Sequence, residues 1–237
     1  MSVLSKQQYG PGIVGLEKPV DVSNTSIILK DGEWYDEQMQ SDTQSNIDIQ
    51  VQPGATASYA VSANQISTSA TMRTFRLGKG ASLQLHMRID HCDELLSHTS
   101  VLLEEGAQVN IKGALSNAGG VVDILDEVQH VGSNSTCQIN HRSALKGNAR
   151  EIYRASMSIP STAMHCTAHQ EARVLLLDKR ARIDAIPMLD IACKEVACSH
   201  AVTIAKPKEE EIFYLQSRGL SATEAEQAIA THFLSYE

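Results

Sequence analysis

No run of about 18 apolar residues occurs anywhere in the 237-residue chain, so the sequence offers no helix able to span a bilayer. Positive charge is not in excess either. The 28 acidic residues outnumber the 20 Lys and Arg, and a net charge of −8 argues against a nucleic-acid partner. The first nine residues, from Met1 to Tyr9, lack the basic segment and apolar stretch of a signal peptide. The cytoplasm is therefore the expected compartment. Catalytic signatures are missing as well. There is no G-x-S-x-G elbow and no Cys/His arrangement with a recognisable orienting partner. Without a phosphate-binding P-loop the chain is not expected to hydrolyse ATP, and Asn117-Ala118-Gly119-Gly120 reads as a turn. The expectation is a protein that is not an enzyme.

What the chain does contain is alternation. Leu83, Leu85, Met87 and Ile89 are apolar with polar residues between them, a period of two that puts one set on one face of a strand. The same pattern marks Val109 and Ile111, Cys137 and Ile139, and residues 152–159 and 183–191. A weaker repeat lies behind it. A turn-type pair followed by a small residue and then a strand recurs at Pro53-Gly54-Ala55, Lys79-Gly80-Ala81, Glu105-Gly106-Ala107 and Gly147-Asn148-Ala149. Lys179-Arg180-Ala181 is a looser copy. The first three alanines are 26 residues apart, and Gly132-Ser133-Asn134-Ser135 falls near the next beat. Turns at a near-constant phase imply stacked rungs, so a β-solenoid fits better than a sandwich.

The chain divides into an irregular segment over 1–24, a solenoid core over 25–206 and a helical hairpin over 207–237. Pro207 suits a first helical turn, and Glu209, Glu210 and Glu211 complement the helix dipole. Gly219 is placed as the glycine that ends the helix. Ser221 and Glu224 form a capping box for a second helix running to about Leu234, with Ala225, Ala228, Ile229 and Phe233 as its buried stripe.

Five cysteines and nine histidines supply the candidate chemistry. In a chain of this length without a secretion signal, the cysteines read as free thiols, ligands or core residues rather than a disulfide framework. Cys198 and His200 stand two residues apart, so on a strand both point to one face and could hold one metal. Cys193 would face the other way on one unbroken strand. Soft sulfur and nitrogen donors suit iron–sulfur or zinc chemistry. His165, Cys166 and His169 form a second group, with the two histidines expected on one strand face. Each could equally be a core or hydrogen-bonding residue. Phe213, Tyr214 and Arg218 combine aromatic and cationic side chains, a composition enriched at interfaces.

Three ordered stretches carry a resemblance. Residues 175–191 contain a leucine-rich strand leading to Pro187 and then Leu189-Asp190-Ile191. Val196-Ala197-Cys198-Ser199-His200-Ala201-Val202-Thr203 follows, and then Phe213-Tyr214-Leu215-Gln216-Ser217-Arg218-Gly219. In this order and spacing they resemble the SufB/SufD family of iron–sulfur cluster assembly scaffolds, over roughly residues 128–234. Ala201 departs from the family's usual glycine. Ala181 stands where SufB usually has cysteine, which makes the site look more like SufD, and family members are usually longer, so the chain looks like a short SufD-like member. The resemblance implies a right-handed parallel β-helix that dimerises through its C-terminal rungs, as a homodimer or with a SufB/SufD paralogue. It also implies a transient iron–sulfur cluster at the dimer interface. Phe213, Tyr214, Ser217, Arg218 and Gly219 would belong to the helices that dock a SufC-like ABC-type ATPase. The alternatives from other classes are a metal-dependent enzyme using Cys/His ligands on a solenoid, and a solenoid binding module with no cofactor.

Overall fold

Leu83, Leu85, Met87 and Ile89 all turn inward and are almost completely buried, as their alternation requires. The computed structural model describes residues 21–236 and repeats that arrangement along most of its length. Twelve strands pair in parallel. They are β1 (Asp21–Leu29), β2 (Trp34–Gln38), β3 (Thr43–Val51), β4 (Thr56–Leu77), β5 (Ser82–Leu103) and β6 (Gln108–Asn117). After them come β7 (Val121–His130), β8 (Thr136–Leu145), β9 (Arg150–Ile159), β10 (Thr167–Leu176), β11 (Arg182–Ile191) and β12 (Ala197–Ala205).

Their registers build two walls. The first runs β1, β3, the second half of β4, the second half of β5, β7, β9 and β11. The second runs β2, the first halves of β4 and β5, then β6, β8, β10 and β12. The long strands β4 and β5 serve both walls, bending at Gln65 and His91, which take positive φ. The result is a β-solenoid of about six turns. Of the expected irregular segment over 1–24, residues 1–20 lie outside the described residues, and 21–24 belong to β1.

The corners explain the 26-residue beat. Gly54, Gly80 and Gly106 adopt φ near +70°, a left-handed conformation that glycine enters without a Cβ clash. Their N–H groups donate to Lys79 O, Glu105 O and Ser133 O, each in the next turn of the stack. Ala55, Ala81 and Ala107 follow as buried small residues whose carbonyls accept from Ser82, Gln108 and Thr136 N. Ser135 and Cys166 continue this ladder, accepting from Thr167 and Ala197 N. Ala149 and Ala181 do not belong to it. They are buried at the opposite corner, ahead of β9 and β11, with Arg182 N donating to Ala149 O. A two-walled rung has two corners with the same steric demand, and sequence alone merged them.

After β12 the chain forms α1 (Glu209–Ser217) and α2 (Ala222–Leu234). Ser221 and Glu224 make the expected capping box, and Gly219 has φ 101° just past α1. Pro207 lies one residue before the cap Lys208 instead of in the first turn. The buried stripe of α2 is Ala225, Ala230 and Leu234, and Ala228 is exposed. The stripe is rotated because the helix approaches the second wall through Leu234, beside Ala114, Ala144 and Leu175. Among the described residues no helix is long and apolar enough to cross a membrane.

Candidate functional site

Parallel stacking satisfies the backbone and covers the side chains of every rung that has neighbours on both sides. The last rung has one. Among the described residues, β11 pairs only with β9 and β12 only with β10. Inward positions of β11, from Ile183 to Ile191, are half-buried, while the outward Ile186 and Met188 are exposed. On β12 Val202 and Ile204 are exposed as well, although both continue inward columns.

Cys198 and His200 share that inward face. Cys198 stacks on Ala168 and, one rung deeper, Cys137; His200 stacks on Gln170 and then Ile139. Cys198 is half-buried and His200 exposed. Burial pushes the Cys198 thiol above its ordinary pKa, against a hydrogen bond with the Ala168 backbone that lowers it. Cys193 is buried in the corner between β11 and β12, not on a strand, so strand alternation does not govern it. All five cysteines are free thiols.

The second sequence group comes apart. His165 sits in the turn before β10 at φ 58°, exposed, with Nε2 3.7 Å from Glu195 Oε2. Cys166 is buried at the corner, its Sγ 3.3 Å from Ser135 Oγ. His169 lies on the outward face of β10 with Nδ1 2.8 Å from Ser199 Oγ. The two histidines do not share a strand face, because the strand begins only at Thr167. Among the described residues, no group of three or more His, Cys, Asp or Glu side chains gathers as a metal site.

Sequence reasoning missed a set of polar side chains inside the solenoid. His141 Nε2 lies 2.5 Å from Glu151 Oε1, and the His141 ring stacks on Tyr153 at 4.0 Å between centroids. Tyr153 donates to Asp126 Oδ2 at 3.3 Å. Burial raises the Asp126 carboxyl to about 6, outweighing the favourable field of His141. Gly113 makes room for this group, since a Cβ there would come within 2.9 Å of His141 Nδ1. Nearer the N-terminal end, Arg73 is fully buried, forked onto Glu37 and bonded to Ser97. The available signal was polar residues at inward phase, such as Asp126 between Ile124 and Val128 in β7, but phase could not be fixed without the register.

The hairpin residues divide by helix. On α1, Phe213 is 73 % and Tyr214 56 % exposed, and Ser217 at its end with Arg218 and Gly219 just past it are exposed too. The Arg218 guanidinium lies over the Tyr214 ring at 5.3 Å. No residue of α1 is buried. The hairpin is held by α2 and its tail. Arg142 Nη1 donates to Phe233 O and Ser235 O, the single O–H of Tyr236 is shared between Gly113 O and Asn140 O, and Lys146 pairs with Glu226.

Residues 23–233 match the family described as SUF system FeS cluster assembly, SufBD core domain. Similar curated proteins include an iron-sulfur cluster assembly SufBD family protein of Staphylococcus aureus (strain USA300), 28% identical over 181 residues. Another, of Staphylococcus epidermidis (strain ATCC 12228 / FDA PCI 1200), is also 28% identical over 181 residues. In both cases the match covers 73% of this chain and only 37% of the relative.

Proposed function

The chain belongs to the SufBD core family of the SUF iron–sulfur cluster assembly system, and from that premise we propose that it is a non-catalytic, cytoplasmic subunit of cluster assembly. Two copies, or this chain and a SufB/SufD paralogue, pair through β11 and β12. A transient cluster is the cargo between them, and a SufC-like ABC-type ATPase docks on α1. The observation that carries this reading is the open last rung. It presents Cys198 and His200 on a half-covered inward face beside two strand edges that, among the described residues, have a neighbour on one side only. Such edges are normally capped or paired. A thiolate and an imidazole supply two donors, whereas an iron–sulfur cluster takes four. A second chain would bring the remainder.

The test is anaerobic purification with iron and acid-labile sulfide analysis. Cys198→Ala and His200→Ala should keep the circular dichroism spectrum of the parent and lose most of the iron and sulfide. Normal content in both variants would make the pair structural and end the assignment. Zinc without sulfide would favour the metal-dependent enzyme instead.

A further inference from the structure

The hairpin does not lie flat on the solenoid. Between α1, α2 and the outward face of β8, β10 and β12 is a cleft of about 630 Å³, within the size range of small-ligand sites. We propose that this cleft binds an organic anion, a carboxylate or phosphate carried on an apolar body.

Two features of the lining argue for that class. The first is charge. In a chain with a net charge of −8, the cleft collects Arg142, Arg173, Lys206 and Lys208 against a single carboxylate, Glu211. Part of that charge is unneutralised. Arg142 spends Nη1 on two neutral carbonyls, and Lys208 reaches Glu211 only at 4.0 Å. Lys206 makes no ion pair among the described residues. Arg173 is shared with Glu171 at 2.8 Å. Cations grouped in a concave site focus the field on an entering anion.

The second feature is the apolar side. Leu175, Leu215, Ile229 and Phe233 line the same space, and the last three remain only half-buried. A hairpin serving only as a cover would close over them. Here Arg142 and Tyr236 fix α2 and the tail to the wall, while α1 stands off with nothing buried. The cleft therefore keeps an apolar pocket beneath a cationic rim, which suits one amphipathic anion better than free phosphate or a purely apolar guest. The cleft lies on the outward side of the wall, whereas Cys198 and His200 lie on the inward face of β12, so the proposal does not rest on a cluster.

The experiment is isothermal titration calorimetry of the whole chain with octanoate, octyl phosphate and octanol. Octanoate and octyl phosphate should bind with one site per chain, and octanol at least about tenfold more weakly. The tighter of the two anions identifies the head group. Methyl resonances of Leu175, Leu215 and Ile229 should shift on binding, and those of Ile183 and Leu189 in the last rung should not. The double variant Arg173→Gln/Lys206→Gln changes two surface side chains and should bind the anions about tenfold more weakly with unchanged thermal stability. Octanol binding as tightly as octanoate would reduce the cleft to an apolar groove. Absence of saturable binding, or unchanged affinity in the double variant, would overturn the proposal.

Discussion

Leu83, Val109, Cys137, Ala168 and Cys198 occupy one inward column of the second wall, one rung apart. The first four are buried almost completely and the last is not. The same contrast runs down the first wall, where Phe75, Val101, Val128 and Met157 are sealed and Leu189 is half-covered. Position in the strand is identical along each column, and only the presence of a rung above differs. A parallel stack thus converts inward side chains into core along its length, whereas at this end the same orientation leaves them half-covered or exposed.

The largest effect that would sharpen this contrast comes from deleting one side chain on each side of it. Leu85 in β5 has no exposed surface, so Leu85→Ala should cost about 3 kcal/mol in urea unfolding, from lost transfer energy and an unfilled cavity. Leu189→Ala in β11 should cost about 1 kcal/mol or less in dilute protein, because that site can relax toward solvent. At tens of micromolar, where two last rungs pair in the proposed dimer, the Leu189 variant should also dissociate more readily in light scattering. Equal, concentration-independent losses at both positions would show that the last rung is no different from the others.

A second effect, about 2 kcal/mol, tests what sealing does to a titratable group. His130 takes the place in its column held by Leu77 and Leu103 in the rungs beneath, with no exposed surface. Its Nδ1 lies 2.7 Å from Ser135 Oγ, and burial lowers its pKa from 6.5 to about 4. Unfolded chains therefore take up a proton below pH 6.5 that the folded chain declines until about pH 4, so stability falls as pH drops through that window. Asp126 acts in the opposite sense. Its carboxyl, raised to about 6, is protonated first in the folded state, so it adds stability between pH 6 and 3.8. Parent protein should show little net change from pH 7 to pH 5. His130→Leu should become more stable at pH 5 than at pH 7, by about 2 kcal/mol relative to the parent. An identical pH slope in parent and variant would mean that protons reach His130 in the folded state.

These differences mark how much could be read from the chain itself. The strands, the corner ladder of Ala55, Ala81 and Ala107, and the helix caps at Ser221 and Gly219 were legible, because each rests on local sterics or hydrogen bonding. Cys198 and His200 sharing a face was legible for the same reason. The separation of Ala149 from the first ladder was not, since both corners ask for a small residue. Neither was the scattering of His165, Cys166 and His169, because one left-handed residue at His165 moves the start of the strand. The buried His141, Glu151, Tyr153 and Asp126 meet across two walls, and no local pattern records which strands face each other.

The smallest expected change in stability belongs to α1, where the contrast between covered and open surface recurs within one hairpin. α2 is pinned through Leu234, Arg142 and Tyr236, whereas Phe213 and Tyr214 on α1 are exposed and Arg218, at its C-cap, lies over the Tyr214 ring. Tyr214→Ala and Arg218→Ala should therefore change unfolding free energy by less than about 0.5 kcal/mol, as exposed substitutions do. An exposed aromatic stacked with arginine is also the kind of anchor that costs about 2 kcal/mol when truncated at an interface, roughly thirtyfold in affinity. If α1 docks the SufC-like ATPase, calorimetry with that ATPase should show this loss for either variant. Arg142→Ala, on β8, provides the control for the attachment of α2, since it frees the tail and should lower stability while leaving the α1 side chains intact. A large stability loss in the Tyr214 variant would mean that α1 supports the fold after all. Unchanged stability with unchanged affinity would remove α1 from the docking surface.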